Sequence, residues 1–170
     1  MKKVSGGLVL FKKDVKTGTL RILVAHPGGP FFANKDEGWW SIPKGEPEPN
    51  EDLFFAAMRE FHEETGMQPR GPYLDLGSIV QNNGKEVFAW AFEGDWPDDR
   101  SLVCNEISME YPKGSGNFWK FPEVDRVEFL PLEEAKIKLR PQQAPLLDRL
   151  KEQLPLSILS RSSKGCASFN

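Results

Sequence analysis

The segment Gly45-Glu46-Pro47-Glu48-Pro49-Asn50-Glu51-Asp52-Leu53-Phe54-Phe55-Ala56-Ala57-Met58-Arg59-Glu60-Phe61-His62-Glu63-Glu64-Thr65-Gly66-Met67 decides how this chain reads. Asn50–Thr65 is predicted as a helix. Asn50 caps its start, Glu51 and Asp52 suit the positive end of the helix dipole, and Gly66 closes it. At about 100° per residue, Phe54, Ala57, Met58 and Phe61 fall on one apolar stripe. Glu60, Glu63 and Glu64 form a second stripe beside it, because residues three and four apart are neighbours on a helix. Most acidic helix faces are simply solvated, and Arg59, four residues before Glu63, would steady this one. Here, however, the acids adjoin the core stripe rather than oppose it. Like charges in that position are costly unless a cation neutralises them. Hard carboxylate oxygens suit Mg²⁺ or Mn²⁺.

Outward from this helix, Val4–Phe11 and Leu20–Ala25 read as a strand pair around an Asp14–Gly18 turn. His26–Pro30 is Gly/Pro-rich and reads as loop. Trp39–Pro43 reads as a short strand ended by its proline. Tyr73–Val80 and Glu86–Phe92 read as strands around an Asn82-Asn83-Gly84 turn. Asp95–Gly116 is turn-rich and is expected to be irregular, and Arg126–Leu130 reads as a strand. Leu132–Leu139 and Gln142–Leu154 read as helices broken by Pro141. Strands on both sides of a helix, with more helix at the end, indicate a mixed α/β domain over residues 1–154. Residues 155–170 read as a Ser-rich, mobile tail in which Leu156, Ile158 and Leu159 are candidates for docking.

Composition excludes several classes. The chain has 170 residues, 39% apolar and 11% aromatic, enough for one cored domain. Its 22 basic and 25 acidic side chains argue against a nucleic-acid coat protein, and no nucleic-acid partner is expected. No apolar run approaches the roughly 20 residues of a membrane span, so no membrane association is expected. Met1-Lys2-Lys3 has the basic start of a signal peptide, but Gly6–Phe11 is too short for its apolar core. Cys104 and Cys166 lack a CxxC context, so a reducing cytoplasm is the default compartment. No Cys/His cluster suggests zinc.

At this point the central segment resembles a known family. Gly45, Glu51 and the run Arg59-Glu60-Phe61-His62-Glu63-Glu64-Thr65-Gly66-Met67 match the Nudix box, G-x5-E-x7-R-E-U-x-E-E-x-G-U with U a bulky apolar residue, at every specified position. The resemblance implies an α/β/α sandwich with a mixed β-sheet between helices. It also implies a hydrolase of nucleoside diphosphates linked to another group, working with divalent metal. Carried over position by position, Glu60, Glu63 and Glu64 are metal-site carboxylates. Arg59 orients a carboxylate, Glu51 supports the loop–helix–loop, and Gly45 and Gly66 hold its turns through unusual dihedrals.

The flanks are similar to the diadenosine tetraphosphate (Ap4A) hydrolase-like branch, through Trp40-Ser41-Ile42-Pro43-Lys44-Gly45 with Glu48 and Glu51, and through Glu123–Ala135. That similarity makes Glu123 a fourth metal carboxylate, with Glu106 and Glu110 as competitors, and gives Lys44 to phosphate. Glu63 and Glu123 both remain candidates for the general base. Base recognition needs an aromatic face. Trp40 and Phe31 are the leading candidates, with Phe32, Trp90, Phe118 and Trp119 behind them. The expected substrate is a small-molecule nucleoside polyphosphate, with dinucleoside polyphosphates favoured. A nucleoside triphosphate pyrophosphohydrolase and a non-catalytic nucleotide-binding module are the alternatives. A monomer or a homodimer is expected. Departures from the branch lie in His26–Glu37 and Asp95–Gly116. Charge is unevenly shared: Gly45–Gly66 carries −6 within a total of −3, which leaves the rest of the chain at +3.

Overall fold

The computed structural model describes residues 1–154; the expected tail at 155–170 lies outside the described residues. Eight strands and three helices run in the order β1 (Val4–Lys13), β2 (Leu20–Pro27), β3 (Lys44–Gly45), α1 (Leu53–Thr65), β4 (Tyr73–Val80), β5 (Glu86–Glu93), β6 (Glu106–Glu110), β7 (Phe118–Pro122), β8 (Val124–Pro131), α2 (Leu132–Lys138) and α3 (Ala144–Gln153). A 3-10 turn at Pro141–Gln143 separates the last two helices, where the proline removes a backbone donor.

The main sheet has the order β4-β5-β1-β2-β8, with β3 paired to β1. β1 and β5 are parallel and the other pairs antiparallel, so the sheet is mixed as expected. Alternation along β1 feeds both faces. Leu8 and Leu10 pack with Ala57, Phe61, Phe92 and Phe129 beneath α1. Val9 and Phe11 join Leu132, Leu139, Leu146, Leu147 and Leu150 under α2 and α3. The result is an α/β/α sandwich.

One irregularity of this sheet builds the site. β1 and β2 pair only from Phe11–Lys13 to Leu20–Ile22 and then splay apart. The stretch from Ser41 to Gly45 fills the gap. Ser41 and Ala25 exchange backbone hydrogen bonds at 2.9 Å, and Leu8 N–H donates to the Pro43 carbonyl at 3.1 Å. Gly45 pairs with Gly6 and Lys44 with Gly7. The strand expected at Trp39–Pro43 is therefore a wedge held by isolated bridges, with true pairing displaced to Lys44–Gly45.

Three other expectations are corrected. Helix α1 is capped by Asp52, whose carboxylate accepts from Phe54 N–H at 2.9 Å and Phe55 N–H at 3.4 Å. Asn50 instead takes a left-handed conformation with φ 65°, so it belongs to the turn before the helix. Asp95–Gly116 is not irregular throughout, because Glu106–Glu110 pairs with Phe118–Pro122 as a separate two-stranded ribbon. β2 also extends through His26 to Pro27, where a register shift against β8 bends its end.

Candidate active site

Helix α1, the wedge and the β7–β8 junction converge on one cleft. Gly66 ends α1 in the left-handed region at φ 77° and donates its N–H to His62 at 2.7 Å, which glycine adopts without a Cβ penalty. Phe61 and Ala57 anchor the apolar face completely. That anchoring leaves Glu60 and Glu64 on the flank turned to the wedge. Gly45 is needed for space there rather than for dihedral freedom. A Cβ on it would lie 2.0 Å from the Glu60 carboxyl carbon, and its φ is not left-handed.

Glu123 is the one residue between β7 and β8. Its N–H donates to Asn105 and its carbonyl accepts from Gly28 N–H, both at 2.9 Å. Asn105 N–H in turn donates to the Glu63 carbonyl at 3.1 Å, which ties this junction to α1. Carboxylate oxygens of Glu60, Glu64 and Glu123 lie within 4.8 Å of one another. Glu63 is outside this triad, 32% exposed, and accepts from Arg59 Nη1 at 3.1 Å. Glu110 accepts from Gly116 N–H on the ribbon turn, and neither it nor Glu106 reaches the triad.

The electrostatics of the triad are costly. Burial raises the Glu64 carboxyl well above its ordinary value; Lys44 attracts it, but Glu123 and Glu60 repel it. Burial likewise raises Glu60, against the pull of Arg59, and raises Glu123, with repulsion from Glu63 added. Lys44 N–H donates to Glu64 Oε2 at 3.2 Å. Burial lowers the Lys44 ammonium while Glu64 holds it up, and Lys85 and Arg140 push it down further. Three oxygen donors that resist ionisation side by side form the donor set a hard divalent cation relieves.

Arg59 serves the opposite kind of carboxylate. It donates from Nε and Nη2 to the two Glu51 oxygens at 2.9 Å, and from Nη1 to Glu60 at 2.9 Å. Arg59 and the Glu48 N–H lower the Glu51 carboxyl to about 2. Glu51 therefore staples the loop before α1 to its middle.

The cleft has a volume of about 360 Å³, and Glu60, Glu64 and Glu123 face Lys44, Lys85, Arg140 and Trp39 across it. Trp40 is corrected as a base-stacking candidate. It is 1% exposed, its Nε1 donates to Asp36 at 2.9 Å, and the His26 ring and the Arg126 guanidinium flank it. Its neighbour Trp39, 37% exposed, takes the cleft wall instead. In an extended wedge adjacent side chains face opposite ways, so a Trp-Trp pair had to send one outward. Phe31 is 46% exposed but does not line the cleft. It stacks edge-on with Tyr111 at 5.1 Å, and Tyr111 does the same with Trp119. The basic run Lys136–Arg140 divides: Lys136 and Lys138 pair with Asp148 and Asp36, whereas Arg140 lines the cleft. Trp39, Lys85 and Arg140 are the cleft residues that sequence reasoning missed.

His26, wholly buried, sits with Nδ1 2.8 Å from Asp125 Oδ1 and Nε2 2.7 Å from the Lys35 carbonyl. It fixes the loop leading to Trp39 against the strand that follows Glu123.

A family model described as NUDIX domain matches residues 3–150. No protein of curated function matches the chain. Among solved structures, the NUDIX domain of Shewanella oneidensis NrtR, complexed with ADP ribose, is similar with a TM-score of 0.63 at 16% identity, covering 91% of this chain and 90% of that one. A Caenorhabditis elegans Ap4A hydrolase binary complex is similar with a TM-score of 0.61 at 22% identity, covering 87% and 96%. A MutT protein from Methanosarcina mazei has a TM-score of 0.55 at 18% identity, covering 89% and 96%. At these identities the likeness to solved structures is one of fold.

Proposed function

Given that this chain belongs to the NUDIX domain family and is a Nudix hydrolase, we propose that it cleaves a phosphoanhydride bond in a nucleoside polyphosphate with Mg²⁺ or Mn²⁺. Dinucleoside polyphosphates of the Ap4A kind are the favoured substrates. One observation carries this reading: the Glu60–Glu64–Glu123 triad and the Lys44, Lys85 and Arg140 cations share a single cleft. The fold likeness to an Ap4A hydrolase and the Pro43-Lys44-Gly45 flank agree with it.

Glu60, Glu64 and Glu123 would hold the cation. When bound, it supplies neutralisation of phosphate oxygens and acidification of a water. Glu63 is the reading's general base: it stands outside the triad, Arg59 Nη1 holds its Oε2, and its carboxylate takes the proton of the attacking water. The Lys44 ammonium offsets charge on the phosphate chain as a point charge. Trp39 offers the aromatic face beside it.

The test is phosphate release from a panel of Ap4A, dNTPs, ADP-ribose and capped RNA, with and without Mg²⁺. Mg²⁺-dependent turnover, fastest on Ap4A, is expected. Tight nucleotide binding with no turnover of any panel member would overturn the reading in favour of a binding module. Preferred turnover of dNTPs would move it to nucleotide cleaning.

A further inference from the structure

Beside the cleft lies a second pocket of about 290 Å³, lined by Lys44, Lys85, Arg140 and four amides, Gln81, Asn82, Asn83 and Gln142. No carboxylate lines it, in contrast to the main cleft. The oxygens of three of the amides accept hydrogen bonds. Gln81 Oε1 accepts from Gln143 Nε2 at 3.2 Å, Asn82 Oδ1 from Gln142 Nε2 at 2.7 Å, and Asn83 Oδ1 from Lys85 N–H at 3.0 Å. Their NH₂ groups are left as unpaired donors among the described residues. Gln143 is itself buried and fixed by the Ile42 N–H at 2.9 Å, so this wall is tied to the wedge that carries Lys44.

Arg140 is the distinctive member. It forms no ion pair among the described residues, although Lys136 and Lys138, in the helix just before it, each have a carboxylate. Its guanidinium lies 5.4 Å over the Trp39 ring, and its backbone is anchored by N–H donation to the Trp40 carbonyl at 2.9 Å. Among the described residues Lys85 has one ion pair, with Glu46 at 2.6 Å, on the cleft side. A pocket of three cations and unpaired donors, with no acceptor charge of its own, is a site for a multiply charged oxyanion. Lys44, Lys85 and Arg140 line both cavities, so an anion chain starting at the carboxylate triad can continue into it.

We propose that this pocket is a separate phosphate subsite that takes the phosphates beyond those at the triad. Arg140 is then the residue that selects substrates with three or more consecutive phosphates over nucleoside diphosphate derivatives. The proposal rests on the reading of the main cleft as a nucleoside polyphosphate site, and it adds the length of the chain that the enzyme accepts.

The experiment is equilibrium binding of inorganic tripolyphosphate and of pyrophosphate, by calorimetry with Mg²⁺ present, to the wild type, Arg140→Gln and Arg140→Lys. The wild type should bind tripolyphosphate at least about tenfold more tightly than pyrophosphate. Arg140→Gln should cut that preference by about tenfold, as expected for one charged hydrogen bond, and Arg140→Lys should restore part of it. A preference that is absent in the wild type, or that survives in Arg140→Gln, overturns the subsite. Equal weakening of both anions overturns it too, since Arg140 would then act only on general charge. Because the readout is binding of an inorganic anion, failure of turnover on every nucleotide would sink the hydrolase reading alone.

Discussion

Glu51 and Glu64 are thirteen positions apart, and their carboxyls have opposite fates. Glu51 lies at the partly open mouth of the loop, gripped by both arms of Arg59, and its carboxyl falls to about 2. Glu64 is 7% exposed, shares its surroundings with two further carboxylates, and is pushed well above the ordinary range. One carboxylate is satisfied by the protein alone. The other is buried beside two like charges and only partly offset by Lys44. The contrast separates what holds the helix from what the helix is for.

The strongest way to break the contrast is to remove charge on the functional side. Glu63→Gln should lower turnover by about 10²–10⁴-fold, as expected for a lost general base, while the melting temperature stays near that of the wild type. Wild-type rates in that variant would remove Glu63 from the chemistry. Next, Glu123→Gln should slow turnover by at least about tenfold, because it takes one ligand from the triad. Glu110→Gln, on the ribbon turn, should stay within about twofold of the wild type on general grounds for an exposed site. The reverse order in steady-state assays would put the fourth carboxylate upstream.

On the structural side the effect is smaller and of another kind. Glu51→Gln should cost about 1 kcal/mol in denaturant unfolding, since it weakens hydrogen bonds to a partly exposed Arg59, with kcat falling less than in Glu63→Gln. A kcat loss equal to that of Glu63→Gln would mean that Glu51 touches the chemistry. The pH response sharpens the contrast further. The lowered Glu51 carboxyl contributes stability that is present above pH 4.5 and is lost as pH falls from there through about 2. The raised Glu64 carboxyl does the reverse: its contribution is full below pH 4.5 and is lost as pH rises through its folded-state value. Mg²⁺ should therefore raise the melting temperature more at pH 8 than at pH 5, read by calorimetry. The difference should shrink in Glu64→Gln, where Glu60 and Glu123 are still raised, and persist in full in Glu51→Gln.

The two sides also differ in how legible they were. The clasp is nearly local: Glu51 lies 8 residues before Arg59 and Glu63 lies 4 after it, and a helical wheel brings Arg59 to Glu63 directly. The apolar stripe and the Gly66 stop were readable for the same reason, since both follow from helical period and glycine's freedom. The helix start was misread by two residues because Asn50 and Asp52 both suit a cap, and only the left-handed turn at Asn50 decides between them. The ribbon of β6 and β7 was missed because its pairing depends on a connection bent around Pro112 and Gly116 rather than on a regular apolar alternation.

The sequence by itself determined the family, the mixed α/β class, the helix that bears the acids and the identity of Glu60, Glu64 and Glu123 as candidates. Those features rest on spacing within one element or on motif positions, which the chain carries wherever it folds. Only the tertiary structure decided that Glu63 stands apart from the triad, that Trp39 rather than Trp40 faces the cleft, and that Arg140 reaches it from the end of α2. The first depends on where the β7–β8 junction meets α1, and the other two on how the wedge between β1 and β2 is inserted. Contacts made across 20 to 100 residues of chain have no local period to announce them.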